Sequence, residues 1–299
     1  MAGAEVRAGM EDSALMDAEC LANLLSDDER AEFERSGFVT VRGALEAGRI
    51  ARLGDVAWAG DAEFRTEPSV GPFHTLNQHD LIGRHDVYLD LIDLPTTFPK
   101  VWGILGWHIQ VFHTQLLVTP PVPPEAVHGA YGWHQDNNRM NLDLDLGLGL
   151  RPGPQPRISM KVGYFLTDLP EPGMGNLCVV PGSHLRGRPQ LAMGEQPDGA
   201  VEVTARAGDA ILFDRRLWHS ASNNHSDVTR VFVTVGYSYR WLRPKSRIDP
   251  AAVPETTDPI RRQLLGATSS ANAWFDPEED DVPLRAWIRE HLGDEAVVA

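Results

Sequence analysis

Cysteine and lysine are scarce in this chain of 299 residues. Cys20 and Cys178 are the only cysteines. Two are too few for a disulfide framework or a four-cysteine metal site, and they suit a reducing cytoplasm. Lysine occurs only as Lys100, Lys161 and Lys245, so nearly all of the 27 basic side chains are arginine. The amino-terminal stretch lacks the positive start and unbroken apolar segment of a signal peptide. No segment approaches the roughly 18 consecutive apolar residues of a membrane span. Positive charge is itself in deficit, with 42 acidic residues giving a net charge of −15. That balance argues against nucleic acid or an anionic membrane as a general partner, because both would repel the protein at long range. It also disfavours a polyanionic acyl-CoA and suits a neutral or cationic small molecule, although bulk charge does not describe a single pocket.

What is present is 42% apolar content, enough for an extensive core. Residues 1–13 are expected to form a flexible arm and 14–299 a single domain, with helices in 14–108, a β-rich core in 109–243 and a helical extension in 244–299. Ser26 followed by Glu29 is a capping box, and Gly37 marks a helix stop. The run FVTVRG at 38–43 predicts a strand, helical spacing predicts a helix over 45–60, and another helix is expected from Pro95 to Leu105. From Ile109 onward short β-rich runs alternate with turns, at 109–118, 158–167, 177–182, 209–214 and 230–241. This succession predicts a β-sandwich or jelly roll carrying helices on its amino-terminal side. The stretch 137–156 is either a cover over a site or a surface loop, and 278–293 predicts a helix for packing or oligomer contact.

The residues able to carry chemistry fall in the β-rich part. His134 and Asp136, in YGWHQDNNRM, are two apart, so on a strand an imidazole and a carboxylate point to one face. Alone, such a pair is more often a surface hydrogen bond than a metal site. His219 follows the strong strand DAILFD and supplies a second imidazole from a distant part of the chain. Two histidines and one carboxylate form a facial triad that leaves three octahedral positions open, suited to non-haem Fe(II) oxygenases; zinc more often takes a tetrahedral site. Arg230 opens the next strand, RVFVTVGYSY, where a guanidinium can hold a carboxylate bidentately.

With these residues, the chain resembles the phytanoyl-CoA dioxygenase family of Fe(II)/2-oxoglutarate oxygenases over roughly 27–240. The resemblance rests on FERSGFVTVRGAL at 33–45, WHQD at 133–136, GNLCVVPGSHLRG at 175–187, GDAILFD at 208–214 and the spacing from His219 to Arg230. It implies a double-stranded β-helix, a jelly-roll barrel. It also implies iron held by His134, Asp136 and His219, with Arg230 on the distal carboxylate of 2-oxoglutarate. Gln115, expected on an inward face with His113, matches a position that touches the cosubstrate in relatives, and Tyr164 matches an aromatic position beside it. Core roles are the alternatives for both. A serine that relatives often place two residues after the second histidine is Ala221 here, between Ser220 and Ser222. His184, in PGSH, belongs to a structural turn in the family. His74, His79, His108, His128 and His225 are expected to be surface or structural.

The activity implied is oxidation of a small molecule by O2 and 2-oxoglutarate, most simply hydroxylation, with release of succinate and CO2. Desaturation, ring formation and epimerisation stay open. Halogenation does not, since halogenating relatives lack the carboxylate that Asp136 provides. Tyr131 and Asn137 flank the metal motif as candidate substrate contacts, and the substrate is expected to be a specialised metabolite or a modified amino acid or sugar. Two alternatives are a cupin-like metal-dependent isomerase or hydrolase, which would not need Arg230, and a non-catalytic jelly-roll binding module.

Overall fold

The structure is a computed structural model, and it describes residues 16, 18–125, 132–136, 156–186, 195–248 and 258–297. The predicted arm, Tyr131, Asn137 and nearly all of the 137–156 stretch lie outside the described residues.

The capping box forms as the sequence predicts. Ser26 Oγ accepts from Glu29 N–H at the start of α1 (Asp27–Ser36), and Glu29 returns a bond to Ser26 N–H. Gly37 ends the helix in the left-handed region at φ 83°, where a side chain would also strike the His184 ring. β1 (Phe38–Val41) and α2 (Ala47–Phe64) follow, then β2 (Leu76–His79), α3 (Asp86–Leu89) and α4 (Phe98–Leu105). The β-rich part supplies β3 (Ile109–Thr119), β4 (Ser159–Phe165), β5 (Leu177–Val179), β6 (Val201–Glu202), β7 (Ala210–Asp214), β8 (His219–Ala221) and β9 (Arg230–Tyr239). α5 (Pro259–Leu264) and α6 (Pro283–Leu292) close the chain.

The strands form a six-stranded antiparallel sheet, in the order β1-β7-β4-β9-β3-β2, and a three-stranded sheet, β6-β5-β8. The segment expected to be helical, 14–108, thus also supplies both edge strands of the large sheet. Period-two alternation divides each central strand between two cores. Met160, Val162 and Tyr164 of β4 and Val231, Val233, Val235 and Tyr237 of β9 pack outward, in one cluster with Phe98 and Val101 of α4 and Leu284 and Ile288 of α6. Phe165, Ile211, Phe213 and Phe232 turn inward and pack against Leu177 and Val179 of the small sheet. That interior, between two facing sheets, makes the architecture the jelly-roll double-stranded β-helix. Gly163 is required within it, because a Cβ there would sit 2.2 Å from Phe232 Cζ.

One buried charge cluster braces the turn between β7 and β8. The Asp214 carboxylate, with no exposed surface, accepts from Arg216 Nε at 2.8 Å, Arg216 Nη2 at 2.6 Å and Arg157 Nε at 2.9 Å. Arg157 in turn grips Glu34 of α1 at 2.9 and 2.7 Å. Burial pushes the Asp214 carboxyl up, but Arg216 and Arg157 outweigh it and hold it below its usual 3.8. Its stabilising effect is complete above that pH and is lost as acid titrates the folded carboxylate. Replacing Asp214 with Asn should cost about 3–5 kcal/mol in urea unfolding at neutral pH. The gap between variant and parent should narrow on acidification below about pH 4.

Candidate metal centre

Two distant segments meet edge to edge to build the centre. His134 and His219 form an antiparallel bridge in which each N–H donates to the other's carbonyl, at 3.0 and 2.9 Å. Asp136 N–H then donates to Arg215 C=O at 2.9 Å, and Gln135 Nε2 reaches Arg216 C=O. The PGSH turn supports the same place, since Ser183 Oγ accepts from Trp218 N–H at 2.9 Å. His184 itself bonds Glu34 C=O through Nε2 at 3.1 Å, the structural role expected of it.

Within this frame, one nitrogen of His134, one of His219 and a carboxylate oxygen of Asp136 lie within 4.8 Å of one another. Each histidine uses Nδ1 on a backbone carbonyl two residues earlier, His134 on Gly132 and His219 on Leu217, both at 2.8 Å. This favours the tautomer with Nδ1–H donating and the lone pair on Nε2 of both rings, the usual outer support of a metal-binding imidazole. Burial takes the His219 imidazole down to about 3, so it is neutral and available at physiological pH. For Asp136 burial acts upward, yet the Lys161 ammonium, with His219 and His134, holds the carboxyl well below the usual range. The residues present therefore fit an octahedral metal held on one face by two nitrogens and an oxygen.

Lys161 is the participant that sequence reasoning missed. Its Nζ stands 3.0 Å from Asp136 Oδ1 and 2.9 Å from Oδ2, and it projects inward from β4 opposite Gly236 of β9. A lysine inside the apolar run SMKVGYF, in a chain with three lysines, was the available signal.

Arg230 heads β9 and is buried, at 2% exposure. Its guanidinium lies over the Phe232 ring, 4.6 Å from the centroid, and no carboxylate pairs with it among the described residues. Nε has no hydrogen-bond partner there, and neither does the buried Thr234 Oγ1 on the same face of β9. Burial takes Arg230 down to about 10, so it stays charged at neutral pH. Gln115 lies across from Thr234 and donates from Nε2 to Asn77 Oδ1 at 2.7 Å. It shares the face that carries Arg230, with His113 across from Gly236.

Tyr164 is not brought to this site. β4 turns Lys161 and Phe165 inward, so Tyr164 points to the helices, where its hydroxyl meets Thr97 Oγ1 at 2.8 Å and Leu91 C=O at 3.4 Å. The expected cosubstrate contact is replaced by a core tyrosine tying the sheet to the helical layer. Tyr164→Phe should cost about 1 kcal/mol of stability and leave Co(II) affinity unchanged in an anaerobic absorbance titration. His219→Ala and Asp136→Ala should abolish saturable binding in the same titration.

A sequence profile of the phytanoyl-CoA dioxygenase (PhyH) family matches residues 33–232. No curated protein sequence matches the chain. Among solved structures, HygX from Streptomyces hygroscopicus with nickel and 2-oxoglutarate bound is similar at TM-score 0.58 and 20% identity, over 75% of this chain and 89% of that one. The epimerase SnoN from nogalamycin biosynthesis is similar at TM-score 0.54 and 22% identity, over 80% and 92%. EctD from S. alaskensis with bound iron is similar at 0.56 and 20%, over 78% and 85%. With the family match spanning two thirds of the sequence and the triad assembled inside the expected fold, the chain belongs to the phytanoyl-CoA dioxygenase (PhyH) family of Fe(II)/2-oxoglutarate-dependent oxygenases.

Proposed function

We propose that the protein hydroxylates a small molecule of specialised metabolism, with His134, Asp136 and His219 holding Fe(II) and Arg230 holding the distal carboxylate of 2-oxoglutarate. The observation that carries this is Arg230, a guanidinium sealed between the sheets without a carboxylate partner among the described residues. A buried cation is costly unless paired, so a dicarboxylate that enters with the metal gives it the partner it lacks. The cupin-like alternative offers no such partner.

When bound, iron and 2-oxoglutarate supply oxidative decarboxylation of the cosubstrate by O2 and transfer of one oxygen atom to a substrate C–H bond. The chain's own work is orientation and exclusion. Arg230 anchors the cosubstrate's far end, and its bidentate geometry sets the direction in which the molecule lies. Thr234 Oγ1 and Gln115, on the inner face beyond it, are the polar groups along that path. Phe165, Phe213 and Phe232 wall the interior against water. Lys161 holds the Asp136 carboxylate in a single orientation, so that it offers an anionic oxygen to the metal.

Arg230→Ala should weaken 2-oxoglutarate binding by about 3 kcal/mol, roughly a hundredfold. The readout is the weak visible band of the Fe(II) chelate under anaerobic conditions. Iron affinity should be retained, and substrate-dependent succinate release should fall in parallel. Unaltered 2-oxoglutarate affinity in that variant would exclude the assignment of Arg230, and a parent protein that binds iron but shows no band would favour the cosubstrate-independent alternative.

A further inference from the structure

The distribution of cations beside the site runs against the net charge of the molecule. A narrow cleft beside Asp136 is lined by Phe112, His113, Lys161, Arg215 and Lys245. Two of the chain's three lysines therefore border one cleft. The segment 243–247 forms the outer wall, crossing the β3 bulge with Lys245 N–H and Ser246 N–H both on Phe112 C=O, at 2.8 and 3.1 Å. The same segment also borders an open groove of about 730 Å³ that Arg84, Arg243 and Arg247 line with a single acid, Asp80.

Asp80 offsets only one of these positive charges. It sits in the left-handed region at φ 59°, and its Oδ1 accepts from the backbone N–H of Arg247 at 2.9 Å, so the carboxylate holds the segment in place. Arg84 Nε donates to the carbonyls of His79 and Asp80 at 3.2 and 3.1 Å. Among the described residues no carboxylate forms an ion pair with Arg84, Arg243, Lys245 or Arg247. Inside the cleft a second signal appears. His113 is 2% exposed, its ring lies 5.0 Å from that of His79, and its Nε2 has no hydrogen-bond partner. Ser246 Oγ accepts from Thr114 N–H at 3.0 Å and lies 3.5 Å from His113 Nδ1, so Nε2 is the ring nitrogen that stays buried without a partner.

We propose that the substrate is anionic, with a phosphate or carboxylate group seated against Lys245, Arg243 and Arg247 beside the cleft while its oxidised carbon reaches past His113 toward Asp136. The inference rests on the oxygenase function above and names the substrate class for that site. It reverses the expectation from net charge. A cleft with low-dielectric walls focuses local charge, and Arg84, Arg243, Lys245 and Arg247, spread over the two surfaces that segment 243–247 borders, outweigh the one carboxylate of Asp80 beside them. Phosphate and carboxylate share the chemistry that guanidinium forks recognise.

The test uses the Fe(II)- and 2-oxoglutarate-loaded protein under anaerobic conditions. Three probes share one apolar body: 1-naphthyl phosphate, 1-naphthoate and 1-naphthylmethylamine. Binding is followed by calorimetry at low salt, after the visible band of bound 2-oxoglutarate has been recorded on each sample. At least one anion should bind tenfold or more tighter than the amine, and Arg243→Ala/Arg247→Ala and Lys245→Met should each erase that preference. The tighter anion identifies the phosphate or the carboxylate source. Equal affinity for the three probes, tighter binding of the amine, or a preference unchanged in both variants overturns the proposal. A sample with the band and no anion preference rejects only the substrate class, whereas absence of the band in the parent rejects the oxygenase reading itself.

Discussion

The reciprocal pair of backbone hydrogen bonds between His134 and His219 is the constraint on which the site depends. A facial triad must place three donor atoms within a few ångströms, yet its residues come from segments far apart in sequence. Side chains alone cannot enforce that spacing, because each carries rotatable bonds. The backbone ladder can, since it fixes the Cα positions from which both imidazoles project. The charge cluster of Asp214, Arg216, Arg157 and Glu34 sits directly beneath and ties the same turn to the first helix. Metal geometry and domain stability are thus parts of one network, and the PGSH turn adds a third support through Ser183.

Around this frame the large sheet works as a partition. Its outward residues weld it to the helices, and its inward residues create a space that is apolar except at chosen points. Tyr164 and Lys161 illustrate how sharp that division is. Three positions apart on β4, they serve opposite sides, one bonding Thr97 in the helical layer and the other holding the Asp136 carboxylate.

The capping box at Ser26, the long strands and the set of His134, Asp136, His219 and Arg230 were legible in the sequence because each has a local signature: a cap spacing, a β-branched run, a motif. The face on which Tyr164 lies was not. In β4 both sides are buried, so the strand has no polar alternation from which to read which residues point inward. β2 and β8 escaped notice for a different reason, since LNQH and HSA are short and polar and become strands only through their neighbours. The meeting of Lys161 and Lys245 at one cleft was also invisible, because the two are distant in sequence and a summed charge of −15 masks their convergence.

The scarcity of lysine has a practical side. Lys100 is buried against Glu29 and Lys161 is half-buried against Asp136, which leaves Lys245 as the exposed one of the three. Apart from the amino terminus, an amine-reactive dye, crosslinker or coupling resin would therefore modify the protein first beside the cleft that also borders Asp136. Conjugation through amines would plug the enzyme that it was meant to label or immobilise.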